Sequence, residues 1–353
     1  MNLLDDKSQI ISIDKDDFYS QIASFSDQVK SIIEKAKNFI IPSYFIKVDN
    51  IVICGMGASG TIGDLMVDLS FNESHIPITV VKDYNLPKYV DSQTLVIVIS
   101  HSGDTEEDIS CIKQVVDKKA KSIVISVGGE LEKECSKHNI PILKIENNYL
   151  PRNSFGLMAT TCLMILRKLG VIELKDQDIL KALKSLDYTL EHNNIETDLE
   201  NNQAKKIATK MKEKNVLLVA ADHLKSTAYR FKLQTNENSK QFACVQNLPE
   251  LHHNQINGFD FPTTPNIIVI FLYSKFYSPR IIKRIEITKD ILASAGIEFV
   301  LAETDTVDRL SEIFSFMMLT DLASYYLAIL NGVDPSDQAK ITMVKERMGK
   351  IDK

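Results

Sequence analysis

The 353 residues predict an α/β protein built from two similar halves, each a parallel sheet flanked by helices. Three observations carry this expectation. Short β-branched runs alternate with helical stretches, the runs are apolar throughout, and the pattern pauses at a charged stretch before starting again. Continuous apolar character marks strands buried on both faces, and the helices between them supply the crossover that parallel pairing needs.

In chain order, residues 1–48 predict a helical extension. Its first 17 residues mix Asp and Lys with isolated apolar residues, without the basic and apolar regions of a signal peptide. The first strand is Ile-Val-Ile-Cys at 51–54, followed by Gly-Met-Gly-Ala-Ser-Gly at 55–60 and a helix at 61–70. Further runs at 78–81, 95–99, 123–125 and 140–143 complete a first domain at 49–195. Residues 172–214 are charged and helical, and large apolar residues thin out at 193–202, where the boundary falls. The second domain, 196–353, repeats the outline with strands at 216–219, 242–245, 267–271 and 298–301. Val-Ile-Val-Ile-Ser-His-Ser at 96–102 parallels Ile-Val-Ile-Phe-Leu-Tyr-Ser at 268–274, each ahead of a helix, as duplication requires. A helix at 311–331 has too broad an apolar face for the surface, so its Met and Tyr residues belong to a core. Asn331-Gly332 ends it, and Asp334-Pro335 precedes a short helix carrying Lys340, Lys345 and Arg347.

Composition narrows the function. Forty-one basic residues against 47 acidic ones give a net charge of -6, and no dense Lys/Arg run stands beside aromatics, so nucleic acid is not the expected partner. A small anion would need locally aimed donors, because the global field does not attract it. Cys54, Cys111, Cys135, Cys162 and Cys244 are scattered, odd in number and never spaced Cys-x-x-Cys, against a disulfide framework or a zinc site. A reducing cytoplasm is expected. The longest apolar runs, 267–273 and the Asp- and Ser-broken 314–330, fall short of the ~20 apolar residues of a membrane helix, so a soluble protein without membrane contact is expected.

Two loops carry the chemistry. Glycines at 55–60 let the backbone turn sharply, and the helix that follows presents the free amides of Gly57, Ala58 and Ser59 to an anion. Read literally, this is also Gly-x-Gly-x-x-Gly with Asp83 after the next strand, so a dinucleotide site is a competing reading. The strand after that one ends in Ser100-His101-Ser102-Gly103-Asp104-Thr105-Glu106-Glu107. It places the hydroxyls of Ser100, Ser102 and Thr105 and a second helix start at the same sheet edge, a donor set suited to a phosphate monoester. Alone, Ser102 or Thr105 reads as the cap of a helix starting near Glu106. Two such loops at the carboxyl ends of neighbouring parallel strands favour a ligand crevice.

The glycine-serine loop and the Ser-x-Ser-Gly-x-Thr-Glu segment resemble the sugar-isomerase (SIS) domain. Leu150-Pro151-Arg152, Asn236-Glu237-Asn238-Ser239-Lys240 and Pro249-Glu250-Leu251-His252-His253-Asn254 resemble the bifunctional phosphoglucose/phosphomannose isomerase family best known from archaea. The likeness runs from about residue 51 to 345, five motifs in one order. It implies two SIS subdomains and the interconversion of glucose 6-phosphate, and of mannose 6-phosphate, with fructose 6-phosphate through a cis-enediolate, without metal or cofactor. On this resemblance Glu237 moves the proton between C1 and C2, and His253, supplied by the neighbouring subunit of a homodimer, protonates the ring oxygen. Arg152 stabilises the enediolate oxygen and Lys345 is a second ring-opening group. Taken alone, Glu237 and Lys345 read as solvated side chains and Arg152 as a salt-bridging residue at a domain junction. His252 beside His253 would hint at a metal, yet no ligand spacing accompanies the pair; His-Asn after Pro-Glu-Leu-x is the family pattern and selects His253. Seven residues before Lys345 stands Gln338, where bifunctional members carry Thr and dedicated phosphoglucose isomerases Gln, which implies a preference for the glucose epimer. A non-catalytic SIS sensor is the alternative, but it would bring a partner or DNA-binding domain, for which the first 48 residues are too short and acidic. A dehydrogenase leaves the hydroxyl cluster unexplained.

Overall fold

The computed structural model describes residues 3–263 and 266–349, so the outermost residues of the first and last expected regions, and 264–265 within the second domain, lie outside it. The chain opens with α1 (Lys7–Ile13), α2 (Phe18–Ala23) and α3 (Phe25–Asn38). The first sheet follows as β1 (Asn50–Cys54), α4 (Gly57–Ser70), β2 (Ile78–Val81), β3 (Thr94–Ser100), α5 (Glu106–Lys118), β4 (Lys121–Ser126), α6 (Gly129–His138) and β5 (Ile142–Lys144). Three helices, α7 (Phe155–Lys168), α8 (Asp176–Asn193) and α9 (Gln203–Met211), lead to the second sheet. That sheet comprises β6 (Asn215–Ala220), α10 (Lys225–Asn238), β7 (Ala243–Asn247), β8 (Ile267–Leu272), α11 (Pro279–Ser294) and β9 (Glu298–Ala302), and α12 (Arg309–Leu330) and α13 (Ala339–Met348) close the described chain.

Both sheets are parallel throughout. Their orders, β2-β1-β3-β4-β5 and β7-β6-β8-β9, follow one scheme over four strands, so the duplication read from the sequence holds in the topology. In each sheet the chain leaves the inner strand for one edge and returns to build the other, which opens a crevice at the carboxyl ends of β1 and β3 and again of β6 and β8. Burial explains the strand composition: every residue of β3 is buried, whereas the edge strands β2 and β9 are half-covered and carry Thr79 and Glu298.

Helix α12 corrects an expectation. It is 22 residues long, and an 18-residue stretch of it has a mean hydropathy of 1.6, long and apolar enough to cross a bilayer, but 94% of that stretch is buried inside the protein. With α2, α8, α9 and α10 packed round it, no polar face is needed, which is why its apolar surface exceeds one stripe. Its two tyrosines bury their rings and satisfy their tips: Tyr325 donates to Asp14 at 3.0 Å and Tyr326 to the Asn193 carbonyl at 2.7 Å.

The Asn-rich break between α8 and α9 is explained by side-chain bonds to backbone. Asn202 caps α9 by accepting from the Lys205 amide, and Asn193 accepts from the Ala204 amide, both at 2.9 Å. The leading helices brace the junction between the sheets. Helix α3 packs on α7, Gln28 donates to the Asn153 carbonyl at 2.8 Å, and Gln21 accepts from the Leu150 amide at 2.9 Å. A 3-10 turn, Pro151–Asn153, is thereby held between the two halves.

Candidate active site

The glycine loop approaches its neighbours too closely for side chains. A Cβ on Gly60 would lie 2.5 Å from the Gly55 carbonyl oxygen, so the start of α4 sits directly against the end of β1. Gly57, at φ +51°, opens the helix into free space, and the residue before it, Met56, offers no capping side chain. The first amides of α4 are therefore unclaimed by any cap and face the crevice. Gly57 is exposed, Ala58 half-buried and Ser59 buried, its hydroxyl only 3.9 Å from the Met158 sulfur.

Across the crevice, the hydroxyl loop departs from simple helix capping. Thr105 stands at the N-cap of α5, yet its side chain makes no capping bond; Ser100 donates to it at 3.2 Å instead. Ser102 accepts from the Asp104 amide at 3.2 Å, a turn within the loop, and is exposed. Behind them, on the first turn of α5, lies the buried carboxyl of Asp108.

At the junction, Arg152 is 2% exposed. Its Nε donates to Asn238 Oδ1 at 2.8 Å, and its Nη2 donates to the carbonyls of Pro335 at 2.6 Å and Ser336 at 3.3 Å. The guanidinium lies 4.9 Å from the Phe18 ring centre, and burial pulls its pKa down while Glu237 opposes that shift. Nη1 is buried without a partner. Glu237, on the last turn of α10, places Oε2 4.0 Å from Arg152 Nε and accepts from Gln338 Nε2 at 3.3 Å. The structure thus brings together Arg152, Glu237 and Gln338. The Pro151–Asn153 turn also touches α4, whose first residues line the crevice of the first sheet.

His253 and Lys345 stand apart from this group. His253 ends a 3-10 turn after β7, is exposed, and has no side-chain hydrogen bond or ion pair among the described residues. His252 is tied down: Arg284 donates to its Nδ1 at 3.0 Å, and its Nε2 shares a 2.7 Å bond with Thr288. Burial first, then Arg284, lowers the His252 pKa, so its ring is held neutral and fully bonded. Lys345 lies on α13, none of whose residues is buried.

The matching crevice of the second sheet is filled by the protein itself. Asp68 accepts from the Ser226 amide at the start of α10, and Glu312 accepts from Ser274 at 2.6 Å and pairs with His223 at 2.7 Å. Among the described residues, the protein's own carboxylates thus take up the helix start and the strand-end hydroxyl of this second crevice.

Comparison with known proteins finds a family match in each half of the chain. Residues 44–166 match the SIS domain, and residues 200–348 match the bacterial phospho-glucose isomerase C-terminal SIS domain. A bifunctional phosphoglucose/phosphomannose isomerase of Caldicellulosiruptor bescii is 32% identical over 340 residues, 94% of this chain and 99% of the relative. The chain belongs to the bifunctional phosphoglucose/phosphomannose isomerase family. A second member, from Aquifex aeolicus, is 32% identical over 85% of this chain and 90% of its own. The fold extends further: the C-terminal domain of glucosamine-fructose-6-phosphate aminotransferase from Francisella tularensis superposes with a TM-score of 0.71 at 17% identity, covering 91% of this chain and 96% of that one.

Three supporting residues of this family member escape a motif-by-motif reading. Asn238 orients Arg152 and itself donates to Ser324 at 2.9 Å. Lys240 donates to the Asp334 carbonyl at 2.6 Å and so fixes the loop whose carbonyls receive Arg152. Arg230 donates to the Arg152 carbonyl at 3.2 Å while paired with buried Asp321 at 2.5 Å. Asn238 and Lys240 fall inside the Asn-Glu-Asn-Ser-Lys segment, which could have drawn attention to them; Arg230 carries no local signal.

Proposed function

We propose that this chain is a phosphosugar isomerase interconverting glucose 6-phosphate and fructose 6-phosphate, with mannose 6-phosphate a poorer substrate. The observation that carries the reading is the buried, unpartnered Nη1 of Arg152 beside the Glu237 carboxylate. A fixed cation with one open donor suits an oxygen that gains charge during reaction. The phosphate is held by the Gly57, Ala58 and Ser59 amides and the Ser100, Ser102 and Thr105 hydroxyls. Glu237 takes the C2 proton of the open-chain aldose; the electrons form the C1–C2 double bond, and charge builds on O1. Return of the proton to C1, with the hydroxyl proton passing from O2 to O1, gives the ketose. A sensor would not need this carboxylate-guanidinium pair.

Ring opening is assigned to His253 of a second copy, with Lys345. Support comes from α13, whose Ile341, Met343, Val344 and Met348 are all exposed in the single chain, together with Phe242 and Phe261. A homodimer would cover such apolar surface and bring the unbonded His253 to a neighbouring site.

Gln338 is assigned the epimer preference because its amide holds Glu237, the group that reprotonates C2. Accepting both aldoses requires rotation about C2–C3, and one polar contact discriminates by ~1–3 kcal/mol. Fructose 6-phosphate supplied without nicotinamide or added metal should yield mainly glucose 6-phosphate, and Gln338→Thr should raise kcat/KM for mannose 6-phosphate relative to glucose 6-phosphate. Absence of any aldose product defeats the isomerase reading; equal use of both aldoses by the unaltered enzyme removes this role from Gln338 alone.

A further inference from the structure

The leading helices lie outside both family matches, neither of which starts before residue 44, yet one of their side chains reaches Arg152. Phe18, the first residue of α2, is wholly buried, and the Arg152 guanidinium lies over its ring, 4.9 Å from the centre. Several bonds hold the ring there. Asp17, at the N-cap of α2, makes no capping bond, and Asp14 takes over, accepting from the Phe18 amide at 2.7 Å and the Tyr19 amide at 2.9 Å. The same carboxylate accepts from Tyr325 of α12 at 3.0 Å, and the Tyr325 ring lies within 4° of parallel to Phe18, the ring centres 6.4 Å apart. Phe18 is thereby fixed to the enclosed helix of the second half.

Two buried arginines meet at this junction, and their charges are balanced differently. Arg230 lies 4.1 Å from the Phe155 ring centre and also pairs with Asp321 at 2.5 Å. Arg152 has no carboxylate at hydrogen-bond distance among the described residues: its bonds go to one side-chain amide oxygen and two backbone carbonyls, and Glu237 stands 4.0 Å off. A carboxylate in bidentate contact would stabilise the cation but would also claim its N–H groups. The face of an aromatic ring stabilises the cation through its quadrupole and claims none. We infer that Phe18 is a positioning residue for the isomerisation, its ring holding the Arg152 guanidinium in place while leaving Nη1 open to the developing oxyanion. The demand is greatest in the enediolate, when Glu237 has taken the C2 proton and is neutral. The guanidinium then meets the oxyanion with the ring and the carbonyls of Pro335 and Ser336 as its fixed surroundings. The role of Phe18 thus rests on the oxyanion role given to Arg152.

The test replaces Phe18 in the full-length enzyme by phenylalanines carrying one, two and three ring fluorines, which weaken the negative face stepwise at nearly constant volume. Turnover is read on glucose 6-phosphate deuterated at C2, so that proton transfer, and not ring opening, is measured. Each fluorine should lower kcat by a similar factor, reaching about ten- to thirtyfold with three. Glucitol 6-phosphate, a sugar phosphate that cannot isomerise, should bind throughout with wild-type affinity by calorimetry. Phe18→Leu, which fills much of the space without a π face, should lose at least as much kcat and also unfold at lower denaturant. A kcat that stays level across the fluorinated series, in an enzyme that Arg152→Lys cripples, overturns the role of Phe18 and reduces it to packing. So does a loss that appears in glucitol 6-phosphate affinity and not in kcat. Full kcat in Arg152→Lys would instead overturn the oxyanion role itself. The fluorinated series decides the matter even if Phe18→Leu does not fold.

Discussion

Replacing Glu237 by Gln should lower kcat by about 10²- to 10⁴-fold, the usual contribution of a positioned general base, while leaving the fold and phosphate affinity intact. The substitution keeps side-chain volume and can still meet Gln338 through an oxygen, so the last turn of α10 loses no packing. What it loses is the lone-pair basicity next to Arg152, 4.0 Å away. The Gly57, Ala58 and Ser59 amides and the Ser100, Ser102 and Thr105 hydroxyls belong to other elements and keep their geometry. Steady-state kcat together with calorimetric binding of glucitol 6-phosphate separates these effects. Turnover near the wild-type rate at saturating substrate would remove Glu237 from the chemistry.

Arg152→Lys should be the second most damaging change, and it should act on stability and turnover together. Lysine retains the charge but not the planar fork, and Arg152 uses that fork to reach Asn238, Pro335 and Ser336 at once. Each buried acceptor left unpaired costs roughly 1–3 kcal/mol, so the unfolding midpoint should fall. Without the open Nη1 donor the developing oxyanion loses its fixed partner, a deletion that typically costs about 10²–10³ in kcat. Denaturant titration and kcat on the same preparation read both consequences. A variant with lowered stability but unchanged kcat would reduce Arg152 to a structural brace.

How much of this was visible in the sequence depends on which force places each element. The strands could be read because burial on both faces writes itself into composition, as in the fully buried β3. Helix α12 reads as core from its broad apolar face, but its complete enclosure does not, since that comes from α2, α8, α9 and α10, elements distant in the chain. The crevice loops were legible through glycine and hydroxyl spacing. That Thr105 turns to Ser100 instead of capping α5 was not, because both uses place the same residue at the same position. The Arg152–Glu237–Gln338 grouping joins residues far apart in the chain, and only the family resemblance could suggest it. The choice of His253 over His252 rests on pattern alone in the sequence; in the structure His252 accepts from Arg284 and shares a bond with Thr288, whereas the His253 ring makes no hydrogen bond among the described residues.

The central claim is that a protein carboxylate carries a proton between the two carbons through an enediolate. The most direct measurement is conversion of fructose 6-phosphate in deuterium oxide by the unaltered enzyme, with the glucose 6-phosphate product read by nuclear magnetic resonance at C2. A carboxylic acid proton on Glu237 exchanges with solvent during the lifetime of the enediolate, so deuterium should appear at C2 in a measurable share of the product. Aldose that forms with C2 entirely protiated, its hydrogen carried over from C1 by direct hydride shift, would contradict it.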